Sequence, residues 1–209
     1  MPTTYLFAVP VYKSHRPDVL DLIRTKFETC TAFRRDRNGL FTTLRGTDYC
    51  PGRTPVFYDP LADADIAAFT DMVSAEVDNF LLENNYREYH ATVVNMWMVA
   101  QGHGVSHPPH NHYGHSLSGV YYVHCPPGSQ GLMLHSDNEL GRGHVLKVRD
   151  NQYTPTNSLV WNMPVAAGDL VLFPSSLRHS VPAGNYHGQR ISVAFDIDLN
   201  PKDLTHYEG

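Results

Sequence analysis

The sequence predicts an α+β protein, mainly β, in which N-terminal helices pack on the sheet of a jelly roll. Helical periodicity is confined to the first ninety residues, and short β-branched and aromatic runs dominate from Ala91 onward. Gly, Pro, Asn and Ser punctuate those runs at intervals typical of antiparallel sandwiches and barrels. At 209 residues and 42% hydrophobic content the chain can bury a core for a single domain, with a helical or lid part over 1–90 and a β core over 91–200.

The first helix is expected over residues 17–27, where Val19, Leu20, Ile23 and Phe27 share a face. Next comes RRDRNGLFTTLRGTDYCPGRTP, rich in glycine and arginine and without a clear period. Its arginines suit either a solvated loop, the commoner case, or contact with an anionic substrate. A second helix is expected within LADADIAAFTDMVSAEVDNFLLENN, where Ile66, Phe69, Val73, Val77 and Phe80 recur at spacings of three and four. Asp59-Pro60 before it reads as an N-cap followed by a first-turn proline. The expected strands are ATVVNMWMVA, LSGVYYVHC, GLMLHSD, HVLKVRD, SLVWNMPV, GDLVLFPS and RISVAFDID. No internal repeat, heptad, Walker or dinucleotide fingerprint is present.

A formal charge of −5 and a pI near 6.2 provide no general basic field, so nucleic acid is not the expected partner. Cys30, Cys50 and Cys125 are odd in number, scattered and without a CxxC pair, as in reduced intracellular thiols. The opening MPTTYLFAVPVYK lacks a basic segment followed by a long apolar run, and no stretch approaches the ~20 apolar residues of a membrane span. These features point to a cytoplasmic protein.

Seven of the 13 histidines, His90, His103, His107, His110, His112, His115 and His124, fall within thirty-five residues. Clustering alone is compatible with a solvated tract. His110-Asn111-His112 is more informative, because an extended backbone aims residues i and i+2 to the same side and lets both imidazoles hold one ion. Such a pair needs a further ligand from elsewhere in the chain.

GDLVLFPSSLRHSVPAGNYHGQRISVAF supplies a second group of candidates. Pro174 breaks a strand, His179 opens the next extended piece, and Arg190 follows eleven residues later. Strand alternation places Arg190, Ser192 and Ala194 on one face and Ile191, Val193 and Phe195 on the other. A guanidinium fork beside a hydroxyl suits a carboxylate, whose plane two parallel charge-assisted bonds fix. A surface arginine at a strand edge is the competing reading.

Taken in order, HxH, LSGVYY, FPSSLRH and RIS resemble the Fe(II)- and 2-oxoglutarate-dependent oxygenase superfamily, and the run NMWMVAQGHGVSHPPHNHYGHSLSGVYYV is similar to one 2OG-Fe(II) oxygenase subgroup. The resemblance covers about residues 90–200 and the N-terminal half only loosely. It implies a double-stranded β-helix. It also implies Fe(II) as cofactor, 2-oxoglutarate and O2 as co-substrates, and hydroxylation of an unactivated C–H bond with release of succinate and CO2. The substrate class it implies is a small molecule, a free amino acid or a peptidyl side chain. By position His110 and His179 match the proximal and distal histidines, and Arg190 and Ser192 the element that binds the far carboxylate of 2-oxoglutarate. Tyr121 or Tyr122 is expected to add a phenolic hydrogen bond, with Tyr121 the assigned residue, and Asn95 and Trp97 share a strand face expected to line the pocket, with Trp97 equally suited to ordinary core.

One departure matters. His112 stands where most of the superfamily has a carboxylate, so the expected two-histidine, one-carboxylate triad becomes three imidazoles. Asp137 in LMLHSDNE is the alternative third ligand. Three other function classes remain open, of which an interaction module without any metal leaves the joint placement of His110, His112, His179 and Arg190 unexplained. A cupin-type three-histidine iron dioxygenase would use Arg190 for the substrate's own carboxylate. A non-catalytic metal-binding β-barrel would use the histidines for structural zinc, although such sites close four positions with Cys and His, and Cys125 is thirteen residues past His112.

Overall fold

The computed structural model describes residues 8–29, 33–35, 41–43, 61, 63–136 and 148–202. The chain enters through β1 (Tyr12–His15) and a 3-10 turn, Pro17–Val19, that leads directly into α1 (Leu20–Thr29). Pro17 fits the first position, where its missing N–H has no partner to lose. Val19 and Ile23 are buried, and Phe27 packs against the same cluster.

Part of the arginine-rich stretch is strand rather than loop. β2 (Phe33–Arg35) and β3 (Phe41–Thr43) form an antiparallel pair, and Phe41 and Thr42 register against Ala100 and Val99. A three-residue strand has too few positions to show a period, and pairing with a long neighbouring edge stabilises it instead. The expected N-cap at Asp59-Pro60 lies outside the described residues. Within them Asp63 caps the 3-10 turn Ala64–Ile66, its side chain accepting from the Asp65 amide at 3.0 Å. That turn continues into α2 (Ala67–Glu83), which buries Phe69, Val73, Val77 and Phe80 on one face.

β4 (Tyr89–Gln101), β5 (His107–His110), β6 (Leu117–His124), β7 (Leu132–His135), β8 (Val160–Met163), β9 (Asp169–Pro174), β10 (His179–Val181) and β11 (Arg190–Pro201) follow. Most of HVLKVRD falls outside the described residues, and its end is a 3-10 turn, Arg149–Asn151, with Asp150 at φ +50°. Among the described residues the strands form two sheets. The larger runs β1-β9-β6-β11-β4-β3-β2 and the smaller β5-β10-β7-β8.

Alternation on the central strands divides two apolar clusters. Tyr121, Val123, Leu170, Leu172, Val193, Phe195 and Ile197 face the helices. Val120, Tyr122, Val171 and Phe173 face Leu132, Leu134 and Val181 of the smaller sheet. Gly119 sits where a Cβ would come within 2.2 Å of the Phe195 ring, so the glycine of LSGVYY admits that ring against the sheet. The result is the double-stranded β-helix with helices on one face. No helix among the described residues is long and apolar enough to cross a membrane, and among them Cys125 makes no disulfide.

Candidate metal and co-substrate site

Two prolines help to place the first histidine. Pro108 and Pro109 cannot donate to a sheet on both sides, and β5 accordingly lies at the edge of the smaller sheet. Its last residue, His110, registers directly against His179 of β10. Pro174 ends β9 in the larger sheet, and a turn closed by Leu177 N–H to Pro174 O (2.8 Å) swings the chain into the smaller sheet at His179. His112 follows β5 in a loop, with its amide bonded to Ser175 O at 2.9 Å. Cross-strand register and one loop-to-turn hydrogen bond thus bring three imidazoles together.

One ligand atom from each of His110, His112 and His179 lies within 4.8 Å of the others. Ring centroids are 4.3 Å apart for His110 and His179, and 5.1 Å apart for each pair with His112. Each ring uses Nδ1 for a local acceptor. His110 Nδ1 bonds Pro108 O at 2.8 Å, His179 Nδ1 bonds Leu177 O at 2.9 Å, and His112 Nδ1 bonds Asp196 Oδ1 at 2.5 Å. A carbonyl or carboxylate oxygen can only accept, so Nδ1 carries the proton and Nε2 keeps its lone pair in the neutral ring. Burial pushes His179 down to about 3, partly offset by its bond to Leu177 and reinforced by the neighbouring His110, His112 and His107. It is therefore neutral at pH 7, as a ligand must be. Three Nε2 donors are a donor set suited to Fe(II).

A half-open cavity of about 520 Å³, measured out to solvent, adjoins the three rings. Arg190, Ser192 and Ala194 line it from β11, Trp97, Val99 and Gln101 from β4, and Tyr122 from β6. Arg190 is 3% exposed; its Nη1 donates to Gln130 O at 3.0 Å and its guanidinium lies over the Tyr122 ring, 5.3 Å from the centroid. Arg190 Nε, the Tyr122 hydroxyl and Gln101 Oε1 are buried without a hydrogen-bond partner among the described residues. Orphaned buried polar atoms are rare and costly, and three of them line one cavity. Burial raises the Tyr122 phenol to about 12 against the opposing effect of Arg190, so it is a neutral donor.

Two expected residues are placed elsewhere. Tyr121 is not in the cavity. It packs edge-on against Phe69 on the helix side, and its hydroxyl donates to Arg16 O at 2.7 Å. Side-chain alternation allows one of the two tyrosines inward, and the helix contact takes Tyr121. Asn95 also lies behind the site rather than along the cavity, donating from Nδ2 to Asp196 Oδ2 at 3.1 Å. Asp137 lies outside the described residues. His107 lines the cavity with its ring 4.1 Å from that of His110, whereas His115 bonds Asp198 Oδ1 at 3.0 Å.

Gln101 and Asp196 were not singled out in the sequence. The alternation that groups Arg190, Ser192 and Ala194 extends to Asp196, and a carboxylate between Phe195 and Ile197 on a buried strand was the available signal. Gln101 carried none, because its side chain enters the cavity through its register opposite Arg190.

Residues 95–196 match the model of a family described as "Putative 2OG-Fe(II) oxygenase". No curated protein gives a significant sequence match. Among solved structures, a 2OG-Fe(II) oxygenase family oxidoreductase from Burkholderia pseudomallei aligns with TM-score 0.56 at 10% identity, over 85% of this chain and 77% of the other. A Trichoplax adhaerens prolyl hydroxylase in complex with a hypoxia-inducible-factor peptide aligns with TM-score 0.54 at 14% identity, over 90% and 83%. Iron-bound HygX from Streptomyces hygroscopicus aligns with TM-score 0.54 at 11% identity, over 96% and 85%. At such identities the alignments speak for the fold alone, which is the double-stranded β-helix derived above. The segment that matches the 2OG-Fe(II) oxygenase model, residues 95–196, spans every histidine and arginine of the site, and by that segment the chain is similar to an oxidoreductase family dependent on Fe(II) and 2-oxoglutarate.

Proposed function

We propose that this protein hydroxylates an unactivated C–H bond of a small molecule, free amino acid or peptidyl side chain, with succinate and CO2 as co-products. His110, His112 and His179 hold Fe(II) through Nε2, and Arg190 with Ser192 anchors the far carboxylate of 2-oxoglutarate. The observation that carries this reading is the buried Arg190, whose Nε has no partner and which makes no ion pair among the described residues. An uncompensated buried guanidinium is expensive, and an incoming carboxylate compensates it.

Bound Fe(II) supplies the activation of O2 that couples decarboxylation of 2-oxoglutarate to oxygen insertion into the substrate. The residues of the chain bind and orient. Arg190 Nε and the Tyr122 hydroxyl donate to the carboxylate, Ser192 beside them adds a hydroxyl, and Gln101 Oε1 is free to accept from a donor at the same end of the cavity. Trp97, Val99, Val120, Leu132, Phe173 and Val181 make the wall apolar, which strengthens these polar contacts and excludes water.

The deciding experiment is an anaerobic titration of the protein with Fe(II) and 2-oxoglutarate, followed by the weak visible charge-transfer band of the chelate. A saturable band supports the assignment. Iron binding with no band and no 2-oxoglutarate-dependent succinate release transfers it to a cupin-type dioxygenase, in which Arg190 grips the substrate directly.

A further inference from the structure

Asp196 stands behind the metal site rather than in it. It is 1% exposed, on β11 between the buried Phe195 and Ile197, at the point where the register of β11 against β4 shifts. Such a bulge re-aims a side chain. His112 Nδ1 and Ser118 Oγ, at 2.5 and 3.1 Å, donate to Oδ1, and Asn95 Nδ2, at 3.1 Å, donates to Oδ2. Ser118 is itself fixed by Ser175 Oγ at 2.8 Å, and Ser175 O holds the His112 amide. His115 Nε2 closes the outer side at 3.8 Å from Oδ2, its own Nδ1 held by Asp198. The carboxylate and the imidazole it touches are thus positioned by one shared set of contacts.

We propose that Asp196 supplies, one imidazole removed from the metal, the negative charge that a three-histidine ligand set lacks. This rests on the reading of His110, His112 and His179 as the ligands. A carboxylate on Nδ1–H fixes the tautomer and ring orientation of a metal-bound histidine and raises its basicity at Nε2. Counting formal charges, Fe(II), Asp196, Arg190 and doubly ionised 2-oxoglutarate sum to zero, as they would with a carboxylate ligand in the first sphere. Asp196 is a positioning residue that acts through His112.

The arrangement makes a sign-reversing prediction. Asp196→Asn removes the charge and lets an amide N–H face His112, which favours the wrong tautomer. Co(II) affinity, read from its visible absorption in the full-length protein, falls about tenfold or more. In a His112→Asp background a carboxylate stands directly against Asp196, and like charges in contact oppose each other. There Asp196→Asn strengthens Co(II) binding. Opposite signs in the two backgrounds support the proposal. Equal weakening in both, as a merely structural residue would give, or a parent-like affinity of Asp196→Asn, overturns it. If Asp196→Asn does not fold, Ser118→Ala keeps the charge and removes one donor that aims it. Binding weaker by about fivefold is then expected, and unchanged binding overturns the proposal. His110→Ala and His179→Ala serve as controls for the ligand assignment. If they bind Co(II) like the parent, that assignment falls and the role of Asp196 with it, whereas failure of the Asp196 arm alone leaves the ligands in place.

Discussion

Arg190 and Tyr122 share a face of the cavity, the guanidinium 5.3 Å from the phenol ring centroid, and each keeps one buried polar atom without a protein partner. Ser192 follows Arg190 on the same strand face, and β11 registers it against Tyr122. Removing one member of a buried charge pair costs ~2–5 kcal/mol, so Arg190→Met weakens 2-oxoglutarate binding roughly thirty-fold or more. Arg190→Lys keeps the charge, loses the fork and falls between. Iron affinity without co-substrate barely moves in either variant. Binding of 2-oxoglutarate to the iron-loaded Met variant at parental affinity removes Arg190 from the site.

The adjacent tyrosines separate stability from binding. Tyr121→Phe loses the hydroxyl bond to Arg16 O, which lowers stability by about 1 kcal/mol and leaves 2-oxoglutarate affinity unchanged. Tyr122→Phe removes an unsatisfied buried hydroxyl, so the metal-free protein becomes more stable by about 1 kcal/mol while 2-oxoglutarate binding weakens about tenfold. Urea melts of the two variants and the titration above measure both effects. A Tyr122→Phe variant that binds like the parent shows that the phenol does not reach the co-substrate.

Metal binding is expected to fail in His110→Ala and His179→Ala while the fold survives, because the rings line a cavity open to solvent and only His179, edge-on to Phe173 at 4.8 Å, touches the smaller apolar cluster. Metal that binds only the folded state stabilises it by about 2.7 kcal/mol at a hundred-fold excess over Kd. Chelation therefore lowers the melting temperature of the parent, and not that of either variant. A chelator-sensitive His179→Ala would show that the ion sits elsewhere.

His179 also imposes a pH dependence on the metal-free protein. Its folded pKa is lowered to about 3 by burial, against an unfolded value of about 6.5. Between these values the unfolded chain binds one more proton, so stability is fully present above pH 6.5 and is lost as pH falls. The slope reaches ~1.4 kcal/mol per pH unit, or about 2 kcal/mol between pH 6.5 and 4.5. Burial acts to raise Glu76 and Asp169, but hydrogen bonds from Tyr12 and Arg16 and from Lys13 and His15 hold both below the usual carboxylate range. Their contributions disappear only at lower pH. His179→Gln should flatten the upper window, as measured by denaturation at fixed pH after chelation. An unchanged slope assigns the acid sensitivity to other groups.

Much of the site was legible because its elements obey local rules. HxH spacing, the proline that ends β9 before His179, and the two-residue alternation from Arg190 to Ser192 are properties of an extended backbone wherever it lies. Together with the resemblance in motif order, they mark His110, His112, His179 and Arg190 as candidates without a tertiary contact, although His112 itself follows the strand in a loop. Helix periodicity marked α1 and α2 in the same way, because each buries one stripe.

Tertiary structure decided what local rules leave degenerate. Alternation requires that one of Tyr121 and Tyr122 face inward, and packing of Tyr121 against Phe69 makes it Tyr122. Nothing near Asn95 in sequence says that it bonds Asp196, 101 residues away. The pairing of His112 with Asp196, 84 residues apart, arises only when β11 and the loop after β5 meet. The physical reason is the same in each case. Sequence periodicity specifies which face a side chain occupies, whereas the identity of its partner depends on strand order and register, which hydrogen bonding between distant segments sets.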